Sequence, residues 1–187
     1  MSRLTTRAGF VLAGGASSRM GRDKALLPLD GRTMVEEIAF TVRRAAGNVT
    51  LIGSPGKYGH LGLPVVPDEI ENCGPLGGVY TALRVTEASW NLLVACDMPR
   101  VTEAFLKQLM EAAEGSDADC VVPEIGGKID PLCAVYHRRV AAAAELAIQR
   151  KLFKMQDFVS TLRAFHWRVT DPRPLDNVNT PAEWSAR

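Results

Sequence analysis

Short apolar runs alternate along the chain with longer segments in which apolar residues recur at helical spacing. The runs predict strands at residues 9–13, 48–52, 63–66, 90–95, 119–122, 132–136 and 165–169. The periodic segments predict helices at residues 32–46, 76–85, 103–114, 138–149 and 156–162. Thr33 and Thr102 are typical helix N-caps, and Pro181 after Thr180 is typical of a further helix start.

The early predicted strands are apolar throughout, with no alternation between apolar and polar positions. A strand of this kind is usually buried on both faces, as in a parallel sheet that is covered by helices. The pattern therefore predicts an α/β protein with a three-layer α/β/α architecture and a mostly parallel sheet. No repeat, low-complexity segment or linker interrupts the pattern, so we expect residues 1–187 to form a single domain.

The composition is that of a globular protein with a nearly balanced charge. The chain has 187 residues and a formal net charge of +1, from 22 Lys and Arg against 21 Asp and Glu. This balance disfavours a general nucleic-acid binder, and the widely separated cysteines disfavour a structural zinc site. No apolar run resembles a signal peptide or is long enough to span a bilayer. We expect a cytoplasmic protein that binds neither nucleic acid nor membrane.

Three segments of unusual polar composition each follow a predicted strand. They are residues 14–24, the pair Pro67 and Asp68, and residues 97–99. In open α/β sheets, ligands bind at the carboxyl ends of the strands. The sheet is therefore expected to bring all three segments to one edge.

The first of these segments has the composition of a phosphate-binding loop. Gly14 and Gly15 allow main-chain N–H groups to approach a ligand closely, Arg19 offers a planar fork for phosphate oxygens, and Lys24 adds a mobile positive charge. The segment is not a P-loop, because Ala25 follows Lys24 where a Ser or Thr would be needed, and its glycine spacing is not that of GxGxxG. A glycine-rich turn with solvated charges is the alternative interpretation.

Polar residues elsewhere are candidates for the metal and the second substrate. Asp97 ends an apolar strand, where an unpaired carboxylate would be costly, and it is a candidate Mg²⁺ ligand or a turn residue. Asp68 is a candidate contact to a base or ribose, or an Asx-turn residue. Asn177 and Asn179 would point to the same face of an extended segment, where they could bind an acceptor phosphate or simply precede a helix.

The sequence LAGGASSRMGRDKALLPLDG, residues 12–31, resembles the nucleotide-binding signature of the molybdenum cofactor guanylyltransferases. Three further segments are similar to motifs of that family, GPLGG at residues 74–78, CDMP at residues 96–99 and NVNTP at residues 177–181. Related cytidylyltransferases and sugar-phosphate nucleotidyltransferases usually have LAAG where this chain has LAGG. The double glycine therefore favours guanine.

The resemblance implies a Rossmann-like nucleotidyltransferase fold and an Mg²⁺-dependent enzyme that transfers GMP from GTP to the phosphate of molybdopterin or its molybdenum-loaded form. It also implies transient contact with proteins of cofactor biosynthesis or with acceptor proteins. The implied nucleotide contacts are Leu12, Ala13, Gly14, Lys24, Asp68 and Asp97, with Asp97 also the metal ligand. The predicted nucleotide site also includes Gly15. The predicted catalytic residues are Arg19, Lys24 and Asp97, and the predicted acceptor-binding residues are Asn177 and Asn179.

One feature departs from the family pattern. Some members use an Asn at the end of the second strand for nucleotide contact, and this chain has Leu51, Ile52 and Gly53 there. Other activities also remain open. A CTP-dependent molybdopterin cytidylyltransferase or a sugar-phosphate nucleotidyltransferase would have the same fold, and a nucleotide-binding module without catalysis belongs to a different class.

Overall fold

A mixed β-sheet forms the centre of the protein in a computed structural model, which describes residues 6–14, 23–29 and 31–177. The strands are β1 (Arg7–Leu12), β2 (Pro28–Leu29), β3 (Arg32–Thr33), β4 (Thr50–Ile52), β5 (Val65–Val66), β6 (Trp90–Ala95), β7 (Cys120–Ile125), β8 (Lys128–Ile129), β9 (Cys133–His137) and β10 (Ala164–Arg168). The helices are α1 (Met34–Ala46), α2 (Pro55–Tyr58), α3 (Pro75–Val85), α4 (Glu103–Glu114), α5 (Ala141–Gln149) and α6 (Met155–Ser160).

The main sheet has the strand order β10-β7-β9-β6-β1-β4-β5, with β8 paired to β7. Strands β5, β4, β1 and β6 are parallel neighbours, and β10 is parallel to β7. Strand β9 is antiparallel to both β6 and β7. The other six strands in this order run in one direction, which confirms the prediction of a mostly parallel sheet. The small strands β2 and β3 pair with each other apart from this sheet.

Helices cover the sheet on both faces, as the three-layer prediction requires. Buried residues of α1 and α4 share one apolar core with one face of the sheet. Buried residues of α3, α5 and α6 share a second core with the other face. Strand β6 contributes to both cores and is buried at every position, which explains why its sequence shows no alternation.

The starts of two helices match their predicted caps. At α1, the Glu36 carboxylate accepts hydrogen bonds from the Thr33 main-chain N–H at 2.8 Å and from the Thr33 hydroxyl at 2.6 Å. At α4, the Thr102 hydroxyl accepts from the Phe105 N–H at 3.2 Å. These bonds satisfy groups that the first turn of a helix leaves without partners.

The structure differs from the sequence predictions at several places. The segment after β4 was not among the predicted helices and contains the short helix α2, in which Pro55 occupies an N-terminal position. The start of the predicted helix at residues 138–149 is a 3-10 turn, Arg138–Val140. Strand β8 was not predicted, and it forms a hairpin with β7 through Gly126 and Gly127, whose φ angles are 56° and 80°. The helix start predicted at Thr180 lies outside the described residues.

Candidate functional site

The carboxyl ends of the four parallel strands β5, β4, β1 and β6 lie side by side at one edge of the sheet. Main-chain hydrogen bonds join these ends: Ala13 N–H donates to Ile52 at 2.9 Å, Gly53 N–H to Val66 at 2.9 Å, and Cys96 N–H to Leu12 at 3.2 Å. The chain runs from β1 outward through β4 to β5 and then returns to β6 on the opposite side of β1. This reversal of strand order is where open α/β sheets bind their ligands.

The predicted phosphate-binding segment begins and ends at this edge. Leu12 and Ala13 are buried at the end of β1, and Gly14 is exposed immediately beyond them. Lys24 lies in a 3-10 turn that begins after Asp23, whose carboxylate accepts a hydrogen bond from the Ala25 N–H at 3.1 Å. The predicted site residues Gly15 and Arg19 lie outside the described residues.

Asp97 follows β6 by two residues and is half-buried beside Lys24. Burial raises the pKa of the Asp97 carboxyl, while a main-chain hydrogen bond and the positive charge of Lys24 act to lower it. The charge of Lys24 therefore reaches Asp97, and the structure brings these two predicted residues together. The raised pKa means that the ionised Asp97 is incompletely stabilised and would gain from a nearby cation.

A second carboxylate, that of Asp130, lies near Asp97 and was not among the predicted site residues. Strands β6 and β9 pair Val94 with Cys133, and the Ala95 N–H donates to Leu132 at 2.7 Å. Continuing this antiparallel register places Asp97 opposite Asp130. Burial raises the pKa of Asp130, the Leu132 main-chain N–H opposes that shift, and the charge of Asp97 adds to it. The position of Asp130 beside Asp97 depends on the pairing of β9 with β6, which the sequence does not show.

The carboxylate of Asp68 lies in a space that two glycines leave open. Its Oδ1 atom is fully buried and has no hydrogen-bond partner among the described residues. A Cβ atom added to Gly14 would be 3.3 Å from Asp68 Oδ2, and one added to Gly78 would be 3.6 Å from Oδ1. The next residue, Glu69, donates its N–H to the Thr81 hydroxyl of α3 at 2.9 Å. Asp68 is thus held beside Gly14, with an acceptor atom that a ligand could use.

At the end of β4, the aromatic ring of Tyr58 occupies the space beside Gly53. A Cβ atom added to Gly53 would be 2.9 Å from Tyr58 Cε2. A side chain at position 53 would therefore require Tyr58 to move. The ring of Tyr58 therefore fills the space at the end of β4, a contact that the sequence pattern did not predict.

The two predicted acceptor residues have different outcomes. Asn177 is exposed and directly follows Asp176, whose carboxylate accepts a hydrogen bond from Arg100 at 3.0 Å. Arg100 lies in the turn that the Val101 N–H closes on Met98, just after Asp97, so this ion pair brings Asn177 near the same edge of the sheet. Asn179 lies outside the described residues.

Among the described residues, Lys24 lies at the same edge of the sheet as the half-buried carboxylates of Asp68, Asp97 and Asp130. Within residues 6–14, 23–29 and 31–177, no group of three or more His, Cys, Asp and Glu side chains is placed to hold a metal ion. Mg²⁺ usually takes only one or two protein carboxylates and completes its shell with water and phosphate oxygens. Asp97 and the neighbouring Asp130 could therefore supply the protein ligands that such an ion would need. In the part of the chain that the structure describes, no helix is long and apolar enough to cross a membrane.

Comparison with known proteins places these features in a family. Residues 9–164 match the model of the MobA-like NTP transferase domain. A probable molybdenum cofactor guanylyltransferase of Pelotomaculum thermopropionicum is 36% identical over 183 residues, which cover 94% of this chain and 88% of the relative. One from Mycobacterium tuberculosis is 37% identical over 181 residues, which cover 94% of this chain and 90% of the relative.

The fold is also similar to that of a solved structure. The crystal structure of molybdopterin-guanine dinucleotide biosynthesis protein A from Archaeoglobus fulgidus superposes with a TM-score of 0.81 at 23% identity. The match covers 96% of this chain and 95% of that one. The prediction of a Rossmann-like nucleotidyltransferase fold is thereby confirmed.

Proposed function

We propose, since the chain belongs to the MobA-like NTP transferase family and is a nucleotidyltransferase, that it is a molybdenum cofactor guanylyltransferase. It would transfer GMP from GTP to the terminal phosphate of molybdopterin, or of its molybdenum-loaded form. The products would be the guanine dinucleotide cofactor and pyrophosphate. The names of relatives that match nearly the whole chain support this choice of substrates.

The observation that carries the proposal is that Lys24 and Asp97 both lie at the edge of the sheet where the strand order reverses. Lys24 follows β1 through the glycine-rich segment, and Asp97 follows the adjacent strand β6. The charge of Lys24 acts to lower the pKa of the Asp97 carboxyl, so the two groups lie within electrostatic reach of each other. A protein that only bound a nucleotide would not need a half-buried acid at this position, whereas phosphoryl transfer needs charge neutralisation around the reacting phosphates.

The proposed reaction is a displacement at the α-phosphorus of GTP. An oxygen of the acceptor phosphate forms a new bond to the α-phosphorus, and the bond from the α-phosphorus to the bridging oxygen breaks, so that pyrophosphate leaves with the electron pair. The acceptor phosphate is already ionised near neutral pH, and no general base is required. Lys24, together with the predicted contact from Arg19, would stabilise the negative charge of pyrophosphate.

The donor set at the sheet edge fits Mg²⁺. Asp97 would hold the ion, with Asp130 opposite it adding negative potential, and both carboxyls have pKa values that burial raises. When bound, the ion would supply positive charge that neutralises the phosphate oxygens at the reacting phosphorus. Asp68, whose Oδ1 has no partner among the described residues, is proposed to accept a hydrogen bond from the nucleoside. Asn177 and Asn179 are proposed to bind the acceptor phosphate.

A thermal-shift series with ATP, GTP, CTP and UTP, each with MgCl₂, tests the choice of nucleotide. A ligand present at a hundredfold above its Kd adds about 2.7 kcal/mol to the free energy of unfolding. For a domain of this size we expect GTP to raise the Tm by roughly 5–10 °C and the other nucleotides to raise it by much less. A larger shift with CTP would identify a cytidylyltransferase, and no shift with any nucleotide would contradict the proposed site.

A further inference from the structure

The hydroxyl group of Tyr58 lies between the two ends of the glycine-rich segment. Its oxygen is 2.7 Å from the main-chain carbonyl oxygen of Ala13 and 2.9 Å from Oδ2 of Asp23. Ala13 is the last buried residue before Gly14, and Asp23 directly precedes Lys24. A phenol has a single O–H donor, so one proton is shared between two acceptors that stand ten residues apart in the chain.

The position of this hydroxyl is fixed by packing. Tyr58 is 2% exposed, and its ring contacts Gly53 so closely that any larger residue at position 53 would displace it. Burial and the neighbouring Asp23 carboxylate raise the pKa of the Tyr58 phenol, which keeps its proton in place as a hydrogen-bond donor. A buried phenol that is held rigidly by its ring can fix the atoms it bonds to.

Asp23 extends the connection toward Lys24. While Oδ2 of Asp23 faces the Tyr58 hydroxyl, its Oδ1 accepts from the Ala25 N–H at 3.1 Å. This second bond starts the 3-10 turn that contains Lys24. The ammonium group of Lys57 adds an ion pair to the same carboxylate at 3.5 Å. The main chain on both sides of Lys24 is therefore oriented by a carboxylate that Tyr58 holds.

We propose that Tyr58 is a positioning residue of the nucleotide site, which fastens Asp23 to Ala13 and so sets Lys24 beside Asp97. This inference rests on the proposed function, because it concerns the same triphosphate site. Tyr58 itself does not touch the reacting groups. Its hydroxyl joins Ala13 to Asp23, so that Lys24, the residue after Asp23, would already be in place when the phosphates bind.

A purely structural role for Tyr58 would have a different signature. Loss of the ring would damage the core next to Gly53, but loss of the hydroxyl alone would lower the stability of the free protein and leave its affinity for GTP unchanged. A positioning role requires that the affinity fall even when the protein is fully folded. The Tyr58→Phe variant separates these cases, because it keeps the ring and removes only the shared donor.

The test measures the Kd of GTP with MgCl₂ by isothermal titration calorimetry, well below the Tm of every variant. We expect Tyr58→Phe to raise the Kd about tenfold, since hydrogen bonds to charged groups contribute most strongly. Asp23→Ala should raise it by a similar factor. The Kd of the double variant should be much lower than the product of the two single effects predicts, because both substitutions break the same hydrogen bond between Tyr58 and Asp23. The matched control is Tyr80→Phe, which removes a hydroxyl from another buried tyrosine, on α3, and should leave the Kd within about twofold of the wild type.

Two results would overturn the inference. One is a Tyr58→Phe protein that binds GTP as tightly as the wild type, and the other is a double variant whose losses multiply, which would show that Tyr58 and Asp23 act independently. Failure of the proposed function looks different, because the wild-type protein would then show no binding of GTP at all. A wild type that binds CTP instead would correct the nucleotide, and the same variants would test the inference with CTP.

Discussion

The Asp97→Asn variant is expected to lose nucleotidyl transfer by roughly a hundredfold to a thousandfold in kcat, the range found when one preorganised electrostatic group is removed from an active site. Asn keeps the size of the side chain and an oxygen acceptor but removes the negative charge that Mg²⁺ would require. Binding of GTP without Mg²⁺ should change little. Measurement of pyrophosphate release with GTP and molybdopterin at saturating MgCl₂ gives the loss directly.

The stability of the same variant provides the control for folding. Because burial raises the pKa of Asp97, its ionised form destabilises the folded protein near neutral pH, and the neutral amide relieves that cost. The Tm of the free Asp97→Asn protein should therefore equal or exceed that of the wild type. Asp117→Asn, in the exposed segment before β7 at the opposite edge of the sheet, should change neither activity nor Tm. Near-normal turnover of Asp97→Asn would exclude Asp97 as the metal ligand.

Replacement of Lys24 by Met is expected to cost about 2–4 kcal/mol of transition-state stabilisation, measured as the change in kcat/KM for GTP. Met keeps the apolar stem of the side chain and removes its charge, so the effect reports on the charge beside the phosphates. The loss should fall mainly on kcat, because the charge on the leaving pyrophosphate develops as the bond breaks.

Two further variants serve as controls for the Lys24→Met result. Lys107→Met removes an exposed lysine of α4 that pairs with Glu103, and it should leave kcat/KM unchanged. Lys24→Arg keeps the charge in a different geometry and should recover part of the activity. A Lys24→Met enzyme with a raised KM and a normal kcat would mean that Lys24 contributes only to binding of the nucleotide. The catalytic role proposed for Lys24 would then be wrong.

The sequence was sufficient where local patterns determine the structure. Strand β6 has the bounds that its continuous apolar run predicts, because burial on both faces leaves no polar position within it. The cap at Thr33 was visible for a similar reason, since Glu36 lies three residues later in a capping box. The position of Ala13, Asp68 and Asp97 at one edge of the sheet was also predictable, because the carboxyl ends of neighbouring parallel strands lie at the same edge.

The features that were missed depend on contacts between distant parts of the chain. The run that forms β9 looks like the parallel strands, since an antiparallel strand buried on both faces has the same composition. Its direction places Asp130 opposite Asp97, and this proximity depends on the pairing of β9 with β6 rather than on the residues around Asp130. Gly126 and Gly127, which directly follow β7, are a hairpin signal that could have identified β8.

Tyr58 is a second case of this kind. Pro55 after Ser54 was a local indication of the short helix α2. That the hydroxyl at the end of this helix reaches both Ala13 and Asp23 is a property of the packed molecule. Gly53, where the sequence departs from the family pattern, leaves the space that the ring of Tyr58 occupies.

Transfer of a labelled nucleotide tests the proposed function most directly. The protein is incubated with MgCl₂, molybdopterin and GTP that carries radioactive phosphorus at the α position, and the products are separated. We predict that the label enters a guanine dinucleotide in an amount equal to the pyrophosphate formed. Label that remains in GTP or appears only in free GMP or GDP, or transfer from labelled CTP in place of GTP, would contradict assignment as a guanylyltransferase.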